Sequence, residues 1–197
     1  MQTTLKTQVV FEGTGLHSGA PVRVVLKPAP ARTGVVFRRI DVTGQPKLHA
    51  RWDHVIVSPL NTRLTNADGV TISTIEHLMA ALAGCGVHIV LVDIDGPEVP
   101  ILDGSAAVFV RGIVNAGLEL LSAPLYAIEI LKDVSVSDGP AFAKLSPATS
   151  LQIDFEIDFA DVAIGKQHKT LNIDKGSFVL ELCDRRTFFR SSDVDAM

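Results

Sequence analysis

Apolar residues recur along this chain at two different spacings. Residues 151–159 alternate apolar and polar side chains one by one, which predicts a strand with one face in solvent. Residues 87–94 are almost continuously apolar, which predicts a central strand covered on both faces. Between residues 72 and 84 the apolar positions recur every three or four residues, which predicts an amphipathic helix with Ser73 as its N-cap and Gly84 as its left-handed stop. The pattern therefore predicts an α+β fold.

Glycine, proline and other turn residues separate further short elements. A second helix is predicted over 107–115, ended by Gly117, and a third begins near Asp174. Further strands are predicted over 7–11, 22–26, 35–39, 48–57, 127–136, 141–145 and 169–173.

The order of these elements indicates an internal duplication. The succession of strand, glycine turn, strand, x-Pro-Ala and strand occurs at 22–39 and again at 141–159. We therefore expect two similar layered α/β units, a first domain over 1–121 and a second over 125–197. The second unit is expected to be incomplete, because it stops before the second helix and central strand that the first unit has.

Glu76 and His77 lie side by side in the first turn of the first predicted helix. Adjacent helical residues point about 100° apart, so the two cannot both lie on the buried stripe. A carboxylate beside an imidazole is the minimum for metal-assisted hydrolysis, with His as ligand and Glu as proton-transfer group. Ser73-x-x-Glu76 is equally a capping box, in which Glu76 bonds back to the N-cap amide, and the pair alone favours the cap.

Composition restricts the class of protein. With 47% hydrophobic and 20% charged residues over 197 positions, the chain is typical of a packed globular protein. A net charge of −4, without a basic run longer than two residues, argues against binding to nucleic acid or an anionic membrane. Cys85 and Cys183 are expected to be free thiols in a reducing compartment. The apolar stretch 78–92 is shorter than the roughly 20 residues of a membrane span, so we expect a cytoplasmic protein without a transmembrane segment.

Five motifs in order resemble the zinc-dependent UDP-3-O-acyl-N-acetylglucosamine deacetylases of lipid A biosynthesis. The motifs are Gly13-Thr-Gly-Leu-His-Ser-Gly19, residues 26–39 with their Lys-Pro-Ala-Pro turn, Ile72 to Gly84 around Glu-His, Gly96 to Ala106, and Arg186-Thr-Phe188. The resemblance implies two similar α/β domains with an active site in the cleft between them. It also implies a reaction in which a zinc-bound water attacks the N-acetyl group of a UDP-linked acylated glucosamine.

The resemblance also implies roles for individual residues. Glu76 matches the general base and His77 the first zinc ligand. Thr187 matches a hydroxyl that stabilises the oxyanion. The remaining three matches are substrate-binding residues: His17, Leu60 and Phe188. The histidines at 49, 54 and 88 are interpreted as structural, and Asp103 and Ser105 as helix-capping residues.

The chain differs from the family in its metal ligands. A hydrolytic zinc needs about three protein ligands, and the family's other two, a His and an Asp, lie in a later His-Lys-x-x-Asp helix. The similar segment that begins at His168 has Asn172 in place of the carboxylate and precedes the Arg-Thr-Phe motif, so His168 is interpreted as a strand residue. The remaining zinc ligands are expected beyond Met197, which favours a C-terminally truncated enzyme whose activity on its own is in doubt. The alternative is a non-catalytic nucleotide-sugar or protein-binding module of the same fold.

Overall fold

The computed structural model describes residues 1–58, 60–173 and 176–186, and it confirms the mixed α+β class. The chain divides into two compact units. The first contains Met1–Leu125 and the described residues from Val179 onward, and the second contains Tyr126–Phe178. The expected division into duplicated domains over 1–121 and 125–197 stays a prediction.

Short strands outnumber helices in the described chain. The two α-helices are α1 (Glu76–Gly84) and α2 (Ala107–Ala116), with a 3₁₀ turn at Trp52–His54 and a π-helical turn at Phe178–Leu182. In chain order the strands are β1 (Thr3–Leu5), β2 (Val9–Thr14), β3 (Pro21–Lys27), β4 (Val35–Arg39), β5 (Lys47–His49), β6 (Val55–Ile56), β7 (Arg63–Thr65), β8 (Thr71–Ile72), β9 (Val90–Ile94), β10 (Leu118–Leu120), β11 (Val134–Asp138), β12 (Ala141–Leu145), β13 (Gln152–Asp158) and β14 (Lys166–Asn172).

A five-stranded sheet in the order β2-β3-β9-β4-β5 forms the centre of the first unit. β9 lies in the middle, antiparallel to β3 and parallel to β4. Of its five residues four are buried, as the continuous apolar run predicts for a central strand. Its one charged residue, Asp93, is 3% exposed and paired with Lys27 and Arg38 at 2.7 Å each, so this buried charge is compensated on both sides.

The helices bury apolar faces in this unit. On α1 the buried positions are Leu78, Ala81 and Leu82, which lie three and four residues apart as a helical period requires. α2 contacts α1 and β2, and its Phe109 ring packs against Phe11 in an edge-to-face pair with a centroid distance of 4.9 Å. Burial of these side chains fixes α1, and with it the position of its first turn.

A three-stranded sheet, β6-β7-β8, leads into α1. β1 pairs with β10 in a separate two-stranded sheet, and the sequence pattern predicts neither of these short strands. Each has only three residues, which is too short for an alternating pattern to be recognised.

The second unit contains two antiparallel hairpins, β11-β12 and β13-β14. The alternating residues 151–159 form β13 as predicted. His168 lies in β14, also as predicted, with Nε2 3.0 Å from Oδ1 of Asp154. The predicted strand 127–136 is mostly wrong, because pairing with β12 begins only at Val134.

Two further predictions need correction. Residues 48–57 are not one strand, because Arg51 pairs with Asp53 at 2.7 Å and the chain makes a 3₁₀ turn there. Gly84 is not the left-handed stop of α1; the positive φ falls on Gly86, at 72°. Gly117 does end α2 with a φ of 70°, as predicted. The helix predicted near Asp174 begins outside the described residues.

At nine and ten residues, α1 and α2 are each well short of a membrane span, and the described part of the chain contains no helix long and apolar enough to cross one.

Candidate functional site

Glu76 and His77 are the first two residues of α1, and both side chains are half-buried. The capping-box alternative is wrong. The helix has no side-chain cap, and Oε1 of Glu76 accepts a hydrogen bond from the backbone N–H of Thr62 instead. Ser73 is not the N-cap, because that position is occupied by Ile75, and the Ser73 N–H donates to Pro97 O at 2.9 Å and so is not available to the Glu76 carboxylate. The carboxylate is therefore directed away from its own helix end.

An open groove lies beside this carboxylate. α1 contributes Glu76 and Met79 to its wall, and the preceding segments contribute Trp52, Val55 and Thr62. The Trp52 side chain is 86% exposed, which is unusual for the only tryptophan of a globular chain. A carboxylate at the edge of a largely apolar groove can bind a ligand hydroxyl or amide, or can take a proton from a bound water.

Leu60 belongs to the same region of the chain. Its side chain is 56% exposed, and it lies two residues before Thr62, whose N–H holds Glu76. The structure thus brings the Leu60 segment to the start of α1. Thr187 and Phe188, the other two residues expected at the site after Arg186, lie outside the described residues.

Arg186 is the last described residue before those two. Its Nη2 lies 3.9 Å from Oδ2 of Asp103, in the loop that precedes α2. Asp103 also accepts hydrogen bonds from the backbone and hydroxyl of Ser105, and Ser105 Oγ accepts from the N–H of Ala107, the first residue of α2. Burial alone would raise the pKa of Asp103, but these bonds and Arg186 hold it below its usual range. Ser105 thus accepts from the first N–H of α2, although Ala106, the N-cap residue itself, makes no side-chain capping bond.

His17 lies in the turn between β2 and β3, with an exposed side chain. Its turn is closed by a hydrogen bond from Gly19 N to Gly15 O of 3.1 Å. Gly15 is buried, and a Cβ there would clash with the side chains of Ser18 and Glu98. Glycine is therefore required at this position, because the turn packs closely around the carboxylate of Glu98.

That carboxylate, Glu98, is 2% exposed. Its Oε1 accepts from His17 N at 3.0 Å and from the hydroxyl of Thr74 at 2.9 Å, while Oε2 accepts from Ser18 N at 2.8 Å. Burial alone would raise the pKa of Glu98, but these donors lower it below its ordinary value. Glu98 is therefore a buried anion that is stabilised by hydrogen bonds from uncharged donors, the hydroxyl of Ser18 among them.

Thr74 connects this anion to the candidate catalytic pair. It has a φ of 56°, a left-handed conformation that β-branched residues rarely adopt. Ser73, the residue before Thr74, is paired with the backbone on either side of Glu98. Ser73 N donates to Pro97 O, and Val99 N donates to Ser73 O at 3.1 Å. The His17 turn and the residues just before α1 are thus fastened to one side chain.

The described residues do not complete a zinc site. No group of three His, Cys, Asp or Glu side chains that could hold a metal ion occurs within residues 1–58, 60–173 and 176–186. His77 offers one imidazole, whereas a catalytic zinc takes about three protein ligands. His88 has a structural role, as predicted, because its Nδ1 accepts from Thr3 N at 3.2 Å.

Sequence reasoning missed Glu98 as a separate functional candidate, although it lies in a motif that supported the resemblance. The signal that could have found it is a single acidic residue between Pro97 and Val99, in a segment otherwise without charge from Gly96 to Leu102. A charge in such a segment indicates a buried, hydrogen-bonded carboxylate. The partners of that carboxylate lie 24 and 81 residues away, so they could not be assigned from the sequence.

Comparison with known proteins agrees with the motifs. A family model described as UDP-3-O-acyl N-acetylglycosamine deacetylase matches residues 2–197. Curated relatives named UDP-3-O-acyl-N-acetylglucosamine deacetylase include that of Pseudoalteromonas atlantica, 44% identical over 198 residues, and that of Phenylobacterium zucineum, 46% identical over 197. The two alignments cover all of this chain but only 65% and 67% of those proteins, so the chain spans about two thirds of their length. A third relative, from Geotalea uraniireducens, is 42% identical and is covered over 64% of its length. The chain belongs to the UDP-3-O-acyl N-acetylglycosamine deacetylase family.

Proposed function

We propose that this chain forms the larger part of a hydrolase that removes the N-acetyl group from a UDP-3-O-acyl-N-acetylglucosamine. Family membership over residues 2–197 supports the reaction class, and the names of the relatives supply the substrate. The observation that carries the proposal is the position of Glu76, whose carboxylate borders an open groove and is oriented by Thr62 N. A substrate that carries a nucleotide is consistent with a cytoplasmic location.

Glu76 is proposed to accept the proton of the attacking water. One carboxylate oxygen accepts from Thr62, which restrains the group, and the second oxygen is proposed to take the proton. Hydrolysis of the amide then gives acetate and a free amine on the sugar, with the water supplying the hydroxyl of the acid and the proton of the amine. Thr187 is proposed to stabilise the oxyanion, and His17, Leu60 and Phe188 to contact the substrate.

Zinc is the proposed metal, with His77 as one ligand. His77 follows Glu76 at the start of α1, so the proposed ligand and the proposed proton acceptor lie on the same helical turn. A zinc ion bound there would polarise the amide carbonyl and acidify a water. The described residues alone do not complete the ligand set, so the other ligands are proposed to lie outside them.

Acetate release from UDP-3-O-acyl-N-acetylglucosamine tests the proposal. The assay compares the 197-residue chain with a chimera in which the remaining third of the Phenylobacterium zucineum protein follows Met197. Zinc-dependent release by either protein supports the proposal. If both fold and neither releases acetate at any zinc concentration, the proposal is wrong.

The second candidate is binding of a nucleotide sugar without hydrolysis. The observation that favours it is the incomplete ligand set of the described residues. Isothermal titration with UDP-N-acetylglucosamine distinguishes the two candidates. Binding in the presence of a chelator, with no acetate released by either the chain or the chimera, supports the binding module.

A further inference from the structure

We propose that Glu98 is a positioning residue that fixes the His17 turn relative to the start of α1. This inference rests on the proposed function for its catalytic consequence, although the contacts themselves do not. Glu98 belongs to neither segment: it lies 81 residues after His17 and 22 residues after Glu76. Its two oxygens nevertheless accept hydrogen bonds from both segments.

The geometry makes this carboxylate a connection between the two segments. On one side it accepts the backbone N–H groups of His17 and Ser18, at 3.0 and 2.8 Å, so it controls the backbone and not merely a side-chain rotamer. On the other side it accepts the hydroxyl of Thr74, at 2.9 Å, two residues before Glu76. A single residue separates Thr74 from α1, which leaves little freedom between this anchor and the catalytic pair.

The strain at Thr74 supports the same conclusion. A left-handed φ of 56° costs free energy in a β-branched residue and persists only where surrounding contacts hold it. The contacts that hold Thr74 are the hydroxyl bond to Glu98 and the backbone pairing of Ser73 with Pro97 and Val99. The left-handed residue lies directly before the N-cap Ile75, so the helix begins at Glu76 rather than directly after Ser73.

A carboxylate is needed here, and an amide of the same shape does not replace it. His17, Ser18 and Thr74 all donate to Glu98, and these donors are divided between its two oxygens. A glutamine would place an NH₂ group against either the Ser18 N–H or the pair formed by the His17 N–H and the Thr74 hydroxyl. In either orientation of the amide, Glu98→Gln therefore sets one donor against another.

Asp93 provides the matched control. It is also a buried acidic residue of the first unit, 3% exposed, and it accepts hydrogen bonds from Lys27 and Arg38. Both of these partners lie in the central sheet, on β3 and β4, rather than in the His17 turn or in residues 72–78. Asp93→Asn thus removes a buried charge from the same unit and leaves the proposed connection intact.

Hydrogen exchange of the 197-residue chain, followed by NMR, tests the connection without reference to activity. In Glu98→Gln we expect the amide of His17 or Ser18 to exchange about tenfold faster or more, as loss of one hydrogen bond to a charged acceptor implies. In Asp93→Asn both amides should keep their wild-type rates. Unchanged protection of both amides in Glu98→Gln overturns the inference. If Glu98→Gln does not fold, Thr74→Val replaces it, and unchanged protection throughout 72–78 in that variant is the contradicting result.

A double-mutant cycle in the acetate-releasing protein tests the catalytic consequence. His17→Ala is made in the wild type and in the Glu98→Gln background, and kcat/KM is measured for all four proteins. Because Glu98 acts through the His17 turn, we expect His17→Ala to cost less in the Glu98→Gln background, by about threefold or more. Additive effects overturn the positioning role, since a general loss of stability would leave the two substitutions independent.

The hydrogen-exchange and kinetic experiments distinguish a failure of this inference from a failure of the proposed function. If the wild type releases no acetate, the proposed function fails while the exchange arm still decides whether Glu98 holds the two segments. If acetate is released and the exchange rates do not change, the positioning inference fails alone.

Discussion

The backbone N–H of Thr62 donates a hydrogen bond to Oε1 of Glu76, across 14 residues of sequence. This bond replaces the local capping bond that the Ser73-x-x-Glu76 pattern suggests. It fastens Thr62, at the end of residues 60–62, to the first turn of α1, beside the groove lined by Met79 and Trp52. A capping bond would turn the Glu76 carboxylate towards its own helix. Held instead by Thr62 beside the groove, the carboxylate is positioned for a ligand.

Glu76→Gln should separate the structural from the chemical role of this side chain. The carbonyl oxygen of glutamine can still accept from Thr62 N, so the melting temperature should remain within a few degrees of the wild type. An amide cannot take a proton, so kcat for acetate release should fall by about 10²-fold or more. Glu119→Gln, at an exposed position in β10, is the control and should leave kcat unchanged. Wild-type turnover by Glu76→Gln would remove the proposed role.

His77→Ala should weaken zinc binding in the acetate-releasing protein. Loss of one imidazole from a site of about three ligands typically costs several kcal/mol of metal affinity, so stoichiometric zinc should be lost after dialysis. The measurement is metal content by inductively coupled plasma spectrometry. His49→Ala, with its exposed ring outside the groove, is the matched control and should retain its zinc. Equal zinc in the two variants would contradict the assignment of His77 as a ligand.

The sequence predicts those parts of the fold in which a pattern is long enough to be read. The nearly continuous apolar run yields β9, and the three-and-four spacing locates α1, although the helix begins at Glu76 and buries Leu78, Ala81 and Leu82. In each case the buried face is repeated over two or more turns or pleats, so a single polar residue does not obscure it. Asp93 illustrates this, because one charge in the run does not hide the central strand.

The start of α1 could not be predicted in the same way. Ser73 has the side chain of a good N-cap, but its backbone is paired with Pro97 and Val99, 24 and 26 residues further along. The helix therefore begins two residues later than an N-cap at Ser73 suggests, with Ile75 as its N-cap after the left-handed Thr74. Long-range pairing outweighs a capping preference of about 1 kcal/mol, and such pairing is absent from any local window of sequence.

The candidate site also contains features that the sequence predicts and features that it does not. Glu76, His77 and His17 could be identified from residue type and motif, because their chemistry is local. The bond from Thr62 and the anchoring by Glu98 depend on contacts across 14 to 81 residues, so only the structure supplies them.

The hydroxyl of Thr74 should be more important than its methyl group. Thr74→Ser keeps the donor to Glu98 and removes the β-branch that disfavours a positive φ, so its stability should equal or exceed the wild type. Thr74→Val keeps the branch and removes the donor, which should cost about 1–3 kcal/mol of unfolding free energy. Urea denaturation of the two variants measures the difference. A valine variant as stable as the serine variant would show that the bond to Glu98 does not hold this turn.

Glu98 should make the protein sensitive to acid. Its pKa in the folded state lies below the ordinary value of 4.5, so the unfolded chain takes up the proton first as pH falls. The stabilisation is therefore fully present above pH 4.5 and is lost as pH falls through the folded pKa. At pH 7 Glu98→Gln should be less stable than the wild type by about 2 kcal/mol, and this difference should shrink at acidic pH. Urea denaturation at a series of pH values measures it. A difference that stays constant from neutral to strongly acidic pH would contradict the prediction.

His88 should act in a different and higher range of pH. Burial, together with the positive charge of the amino terminus, lowers the pKa of His88 below its ordinary value of 6.5. The neutral ring is the form that fits, because Nδ1 accepts from Thr3 N at 3.2 Å and a protonated ring could not accept. As pH falls through 6.5 the unfolded chain binds the proton before the folded chain does, so stability is full above 6.5 and declines towards the folded pKa.

His88→Asn tests this pH dependence, because asparagine keeps an acceptor near the Nδ1 position and cannot titrate. Its unfolding free energy should change less than that of the wild type as the pH is lowered from neutral to mildly acidic. His49→Asn, at an exposed position away from Thr3, is the control for replacing a histidine by asparagine. Parallel curves for the wild type and His88→Asn would mean that the proton is bound equally in the folded and unfolded states. The contact with Thr3 would then have no part in the pH dependence.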